Sequence, residues 1–281
     1  MPNTALEDLL ERLLDKLDAR TPTAVNLDWK SVAAARWSAQ TATLKPILHP
    51  QRVGVKDLLA INDQKARVDA NTRQFVAGKP ANNVLLTGAR GSGKSSLVKA
   101  VHAKYAGRGL RLIEVDKAGL ASLPDLFDLL AEVDNRFIVF IDDLSFAEHD
   151  SAYASLKAAL DGSLAGPSDN VLIYATSNRR HLMPEFMAEN LETRHVGGEV
   201  HPGEATEEKI SLSDRFGLWV SFHGMDQDTY LAIARYWTEQ LGAPADSRFE
   251  RAALQWALAR GARNGRVAWQ FARDWAGAVV K

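Results

Sequence analysis

The sequence predicts an α/β fold: a parallel sheet flanked by helices around a phosphate-binding loop (P-loop), with a small C-terminal helical lid and a helical N-terminal extension. Three observations carry that expectation. Gly88-Ala89-Arg90-Gly91-Ser92-Gly93-Lys94-Ser95 matches G-x-x-x-x-G-K-[ST] in register, between the β-prone run Val84-Leu85-Leu86 and a helix-forming run from Ser96. Phe137-Ile138-Val139-Phe140-Ile141 is continuously apolar, as suits a parallel strand buried on both faces, and it ends at Asp142-Asp143. From Asp226 onward, apolar residues recur at helical spacing. The expected division is an extension and linker over 1–56, a P-loop NTPase-type α/β domain over 57–224 and a helical lid over 225–281.

Strand, glycine loop and helix N-terminus together make an anion site. Successive backbone N–H groups form a nest, and the helix dipole adds positive potential to it. Residues 88–96, through Ser96, are therefore the candidate nucleotide contacts. Within them Lys94 reaches terminal phosphates and Ser95 offers an oxygen to Mg²⁺.

Composition bounds the rest. The chain has 281 residues, 46% hydrophobic and 25% charged, ordinary for a globular protein. Its net charge of −1 gives no global pull toward nucleic acid or membranes, although a local basic surface, and so nucleic acid, is not excluded. The absence of cysteine removes disulfides, thiolate zinc sites and thiol catalysis together. No apolar run approaches ~18 residues, so membrane insertion is not expected. The N-terminus is acidic and amphipathic rather than signal-like, which makes the cytoplasm the expected location.

In chain order, residues 4–19 predict a helix, with Thr4 and Glu7 at capping-box spacing and a stripe of Leu6, Leu9, Leu10, Leu13, Leu14 and Leu17. That stripe docks either on the chain's own body or on a partner. Residues 21–56, interrupted by Pro22, Pro46 and Pro50, read as a connecting segment with a short helix around Trp29–Trp37. A helix over 63–76 stops at Gly78-Lys79-Pro80. Just before it, Leu58 and Ile61 are placed either to contact a purine or to pack the core.

Beyond the loop helix come a strand over 110–115 and a helix over 123–133. The following strand, ending at Asp142-Asp143, has the Walker B pattern: Asp142 for the Mg²⁺ shell, Asp143 to orient or deprotonate the attacking water. Read alone it is equally an ordinary buried strand ending in an acidic turn. A helix over 149–164, a turn at Gly166-Pro167-Ser168-Asp169 and a strand over 171–176 lead to Asn178. Asn178 either touches the γ-phosphate and the water or caps a turn. Residues 189–210 read as a surface loop, and Leu218–Phe222 as the last strand. Helices follow over 226–241, over 247–260 behind a Ser247/Glu250 capping box, and over 265–280. Their aromatics Tyr230, Trp237, Phe249, Trp256, Phe271 and Trp275 lie on the apolar stripes and read as bundle core.

This order of motifs resembles the AAA+ ATPase superfamily over about residues 57–281. Several stretches resemble one family of uncharacterised bacterial AAA+ ATPases, a domain of unknown function. They are Asn71-Thr72-Arg73-Gln74-Phe75, Gly91–Ser96, Asp142-Asp143-Leu144-Ser145-Phe146, Leu212-Ser213-Asp214-Arg215-Phe216-Gly217 and Gly265-Arg266-Val267-Ala268. The resemblance implies that Asn178 is sensor 1, that Arg215 is an arginine finger for a neighbouring subunit, and that Arg266 is sensor 2. Arg215 could instead pair with Asp214, and Arg263 could replace Arg266. One departure stands out: Asp143 occupies a position where many such ATPases have Glu, one methylene longer.

The functional expectation is an ATP- and Mg²⁺-dependent ATPase, a homo-oligomer that remodels or loads an unidentified macromolecular client. The alternatives are a nucleotide-gated switch with little hydrolysis and a P-loop small-molecule kinase. GTP is disfavoured, because no Asn-Lys-x-Asp motif follows the loop and the imitation Asp15-Lys16-Leu17-Asp18 lies upstream of it.

Overall fold

Runs that are apolar on both faces need partners on both sides, and here they find them in one sheet. The computed structural model describes residues 27–51, 53–146, 150–161, 169–178, 194–196, 199–201 and 212–279. The helix expected over 4–19 lies outside them. The strands are β1 (Ala34–Ser38), β2 (Thr43–Pro46), β3 (Val84–Gly88), β4 (Leu110–Val115), β5 (Arg136–Ile141), β6 (Val171–Ser177), β7 (Arg194–Val196), β8 (Glu199–His201) and β9 (Leu218–Phe222). The helices are α1 (Asn62–Val76), α2 (Lys94–Tyr105), α3 (Leu123–Ala131), α4 (Ser151–Asp161), α5 (Gln227–Gln240), α6 (Phe249–Ala259) and α7 (Gly265–Val279). The α/β class is as expected, and among the described residues no helix is long and apolar enough to cross a membrane.

Seven strands pair in the order β2-β1-β4-β5-β6-β3-β9. Every neighbour is parallel except β1 with β2. Two readings of the linker are corrected by this. Residues 34–46 extend the sheet instead of merely connecting, and the segment expected as a helix around Trp29–Trp37 contains a strand. The cause is non-local: Ala34–Arg36 pair in register with Leu112–Glu114, while Ala35, Trp37 and Trp29 are buried against the sheet's core. Trp37 also donates its indole N–H to Ser122 Oγ at 2.8 Å.

Helices cover both faces. On one, Leu97, Val98, Val101 and Tyr105 of α2 and Val68 and Phe75 of α1 pack on Leu86, Phe140 and Tyr174. On the other, Leu123, Leu126 and Leu130 of α3 and Tyr153 and Leu156 of α4 pack on Leu85, Val139 and Ile173. A buried polar clasp ties α1 to the sheet. Asn71 exchanges hydrogen bonds with the Asn82 backbone at 2.9 and 3.0 Å, and Asn71 and Thr72 both meet the Tyr174 hydroxyl. Burial pushes that phenol up to about 12, so it stays neutral.

The lid helices have their own core of Tyr230, Ile233, Phe249, Val267 and Phe271, with Trp237, Trp256 and Trp275 packed against it as expected. The Ser247/Glu250 capping box is not made. Arg248 is the cap, the Asp246 carboxylate accepts from its N–H at 2.8 Å, and Glu250 pairs with Arg235 at 2.9 Å. Within 189–210, read as a loop, β7 and β8 pair antiparallel with Val196 opposite Glu199.

One joint of the sheet is expected to respond to pH. His102, on α2, is hydrogen bonded through Nε2 to the Ala33 carbonyl at 3.0 Å, which requires that nitrogen to carry the proton. Burial holds the ring below its ordinary 6.5. Between the folded value and 6.5 the unfolded chain binds a proton that the folded chain refuses, so stability falls as pH drops through 6.5 and levels off below the folded value. The melting temperature is therefore expected to fall between about pH 7 and pH 5. His102→Gln, which keeps a donor and does not titrate, should lose less over that range in calorimetric scans. An equal loss in both would show that other groups dominate.

Candidate nucleotide site

Parallel pairing brings the carboxyl ends of β3, β5 and β6 to one edge of the sheet, where open α/β sheets bind ligands. The loop leaves β3 at Gly88, where φ is +136° and an added Cβ would lie 2.1 Å from the Phe222 carbonyl oxygen of β9. Only glycine tolerates both the angle and that approach. Gly91 has φ +76°, and a Cβ there would meet Asn264 Oδ1 of the lid at 2.6 Å. Asn264 in turn accepts from Val267 N at 2.9 Å at the start of α7. The N-terminus of α7 thus rests directly on the loop, closing one side of the site.

Lys94 is buried, 5% exposed, and its ammonium donates to Gly88 O at 2.7 Å, Ala89 O at 2.8 Å and Asn178 Oδ1 at 3.0 Å. Burial lowers its pKa from the ordinary 10.5; Asp142 and Asp143 oppose that, and Arg266 and Arg90 add to it. Arg266 is thus a lid charge felt at the loop lysine. Ile61 is buried beside Gly93, 3.6 Å from where a Cβ would stand, and Leu58 is buried with it in the core of that face.

The acidic half is equally tied down. Ser95 Oγ and Thr176 Oγ1 each donate to Asp142 Oδ1 at 2.6 Å. Asn178 Nδ2 donates to Asp143 Oδ1, and Arg90 pairs with Asp143 Oδ2 at 3.6 Å. Asp143 itself has φ +56°, a left-handed conformation rare outside glycine. Loop, β5 end and β6 end therefore form one continuous polar chain: Ser95–Asp142–Thr176, then Asp143–Asn178–Lys94.

Arg215 stands apart. It pairs with Asp161 at 2.5 Å, not with its neighbour Asp214, and it precedes β9 at the amino ends of the strands. Phe222, at the other end of β9, is the residue opposite Gly88. The five residues of β9 span roughly 17 Å, beyond an arginine's reach, so Arg215 is not brought to the loop of its own chain.

The residues suit a bound phosphate and a hard cation. Ser92 Oγ is buried in the loop and has no hydrogen-bond partner among the described residues, which leaves its hydroxyl free to donate to a phosphate oxygen. Ser95 and Asp142 offer a hydroxyl and a carboxylate within 2.6 Å, and among the described residues no group of three or more His, Cys, Asp or Glu forms a metal cluster. A partial oxygen set of this kind suits Mg²⁺, which completes its shell with phosphate oxygens and water. Ser96 follows in the first turn of α2.

Sequence reasoning did not single out Thr176 or Asn264, and it did not foresee the Arg90–Asp143 pair. A signal for Thr176 was present: it lies two residues before Asn178, and strand alternation puts positions two apart on the same side. Nothing local in the sequence marks the other two contacts, which join segments far apart in the chain.

A family model described as "Protein of unknown function (DUF815)" matches residues 30–279. No curated protein matches the chain. Among solved structures, the Thermotoga maritima RuvB Holliday junction branch migration motor aligns with a TM-score of 0.43 and 13% identity, covering 79% of this chain and 71% of that one. Two variants of that protein align with TM-scores of 0.43 and 0.44, at 12% and 11% identity and the same coverage.

Proposed function

The chain belongs to the DUF815 family, described as proteins of unknown function, and from its site we propose that it is an AAA+-type ATPase. On this reading it binds ATP with Mg²⁺ between sheet and lid, hydrolyses it at sites shared between copies of the chain, and uses the cycle to remodel or load a macromolecular client. The observation that carries the reading is the convergence of Lys94, Asp142, Asp143 and Asn178 on a glycine loop that the lid touches at Gly91.

When bound, ATP would supply the phosphoanhydride bond, and Mg²⁺ would neutralise charge on its terminal phosphates. The loop N–H groups, Ser92 and Lys94 hold those phosphates. Ser95 and Asp142 face the cation. Asp143 orients a water and accepts its proton, while Asn178, bonded to both Lys94 and Asp143, keeps base and phosphate-binding cation in a fixed relation. Arg266 reads the nucleotide from the lid, and Arg215 acts on a neighbour's site.

A switch that binds ATP and hardly hydrolyses it is the second reading. Asp143 favours it, being short and already engaged by Asn178 and Arg90. Single-turnover hydrolysis separates the two. The ATPase reading expects wild type to release phosphate and Asp143→Asn to be slower by about 10²–10⁴ with ATP affinity kept, the loss typical of a missing general base. Equal inactivity of both proteins, each still binding ATP tightly, would establish the switch.

A further inference from the structure

We propose that Thr176 is a positioning residue that aligns both carboxylates and, through Asp142, sets the affinity for Mg²⁺; this deepens the function proposed above and rests on it. The β5–β6 ladder ends with Ile141 opposite Ala175. Immediately beyond it, Thr176 takes over the pairing. Its carbonyl accepts from Leu144 N at 2.7 Å, its hydroxyl accepts from Asp143 N at 2.9 Å, and the same hydroxyl donates to Asp142 Oδ1 at 2.6 Å.

These directions are not interchangeable. A backbone N–H only donates, so the Asp143 amide takes a lone pair of the hydroxyl, and the single hydroxyl proton is directed to the carboxylate. One side chain thereby sets the rotation of Asp142 and the backbone entry into Asp143. The second effect matters because φ of +56° at Asp143 persists only where its surroundings impose it.

Ser95 donates to the same carboxylate oxygen, but the two hydroxyls differ in placement. Ser95 lies on the loop helix and faces the phosphate site. Thr176 is 1% exposed and acts through Asp142. Removing the buried hydrogen-bond partner of a metal-binding carboxylate costs about 10- to 100-fold in metal affinity.

The test follows a fluorescent ATP analogue bound to wild type, Thr176→Val and Thr176→Ser, first in EDTA and then across a Mg²⁺ titration, with melting curves for each protein. All three should bind the analogue equally in EDTA, since the loop is untouched. Thr176→Ser should match wild type in Mg²⁺ midpoint, and Thr176→Val should need about 10- to 100-fold more. If the valine variant does not fold, Thr176→Ala carries the same expectation without added bulk at the site. A wild-type midpoint in the variants lacking the hydroxyl overturns the assignment. So does a serine variant as impaired as valine, which would trace the effect to any change in the shape of the side chain rather than to the hydroxyl. Analogue binding by wild type with no response to Mg²⁺ overturns it while leaving nucleotide binding intact. Absence of analogue binding by wild type instead defeats the proposed function itself and this inference with it.

Discussion

Arg215→Ala is expected to slow ATP turnover by about 10³-fold or more, the scale on which arginine fingers act, with ATP affinity nearly unchanged. The split follows from placement. Within one chain Arg215 sits at the amino end of β9, the far end from the loop, and holds Asp161. That pair is partly solvent-exposed, with side chains 25% and 48% accessible, and surface ion pairs are worth at most ~1 kcal/mol. Loss of that pair alone is too small to unfold the chain, so a thousandfold rate loss with an unchanged melting curve is the result expected if Arg215 acts on a second copy's site. Wild-type turnover per chain should accordingly rise with protein concentration, and steady-state phosphate release across a dilution series checks it. Turnover that is independent of concentration and indifferent to Arg215→Ala would remove the shared-site part of the account.

Lys94→Ala is expected to lose ATP affinity by at least about 100-fold, because hydrogen bonds to charged groups contribute ~1.5–3 kcal/mol each and the ammonium supplies more than one. The lysine is buried, and without nucleotide its three donors go to Gly88, Ala89 and Asn178, so ATP binding exchanges some of these bonds for phosphate oxygens. Its truncation therefore removes a cation and also leaves two carbonyls and Asn178 Oδ1 short of a donor. Asp142 and Asp143, which support its charged form, lose a nearby counter-charge as well, although Asp143 keeps Arg90. Calorimetric ATP titration measures the loss, and a melting curve shows whether the loop still folds. Wild-type affinity in this variant would mean that Lys94 does not face the phosphates.

Much of this was legible in the sequence because the signals were local. The loop's glycines, the five-residue apolar run before Asp142 and the helical spacing of Tyr230, Ile233 and Ala234 each declare themselves within one turn or strand. Residues 33–38 failed that test. The segment around Trp29–Trp37 reads as a short helix, yet Ala34–Arg36 become a strand because Leu112–Glu114, some 78 residues away in sequence (34 to 112), offer an open parallel edge. Ser247 and Glu250 had the right spacing for a cap, but Arg235 takes the Glu250 carboxylate, and Asp246 bonds the Arg248 N–H instead. At the site, the residue types were readable while their conformations were not. No pattern in the sequence announces a left-handed Asp143, its pairing with Arg90, or the lid's Asn264 against Gly91.

The central claim is that loop, acidic strand end, Asn178 and lid form one ATP site, and equilibrium binding to the purified wild-type chain tests it most directly. In Mg²⁺, a fluorescent ATP analogue should bind saturably, one per chain, be displaced by ATP, and fail to bind Lys94→Ala. No saturable binding to wild type at about 1 mM ATP, where even ~4 kcal/mol of binding free energy would be seen, would contradict the account.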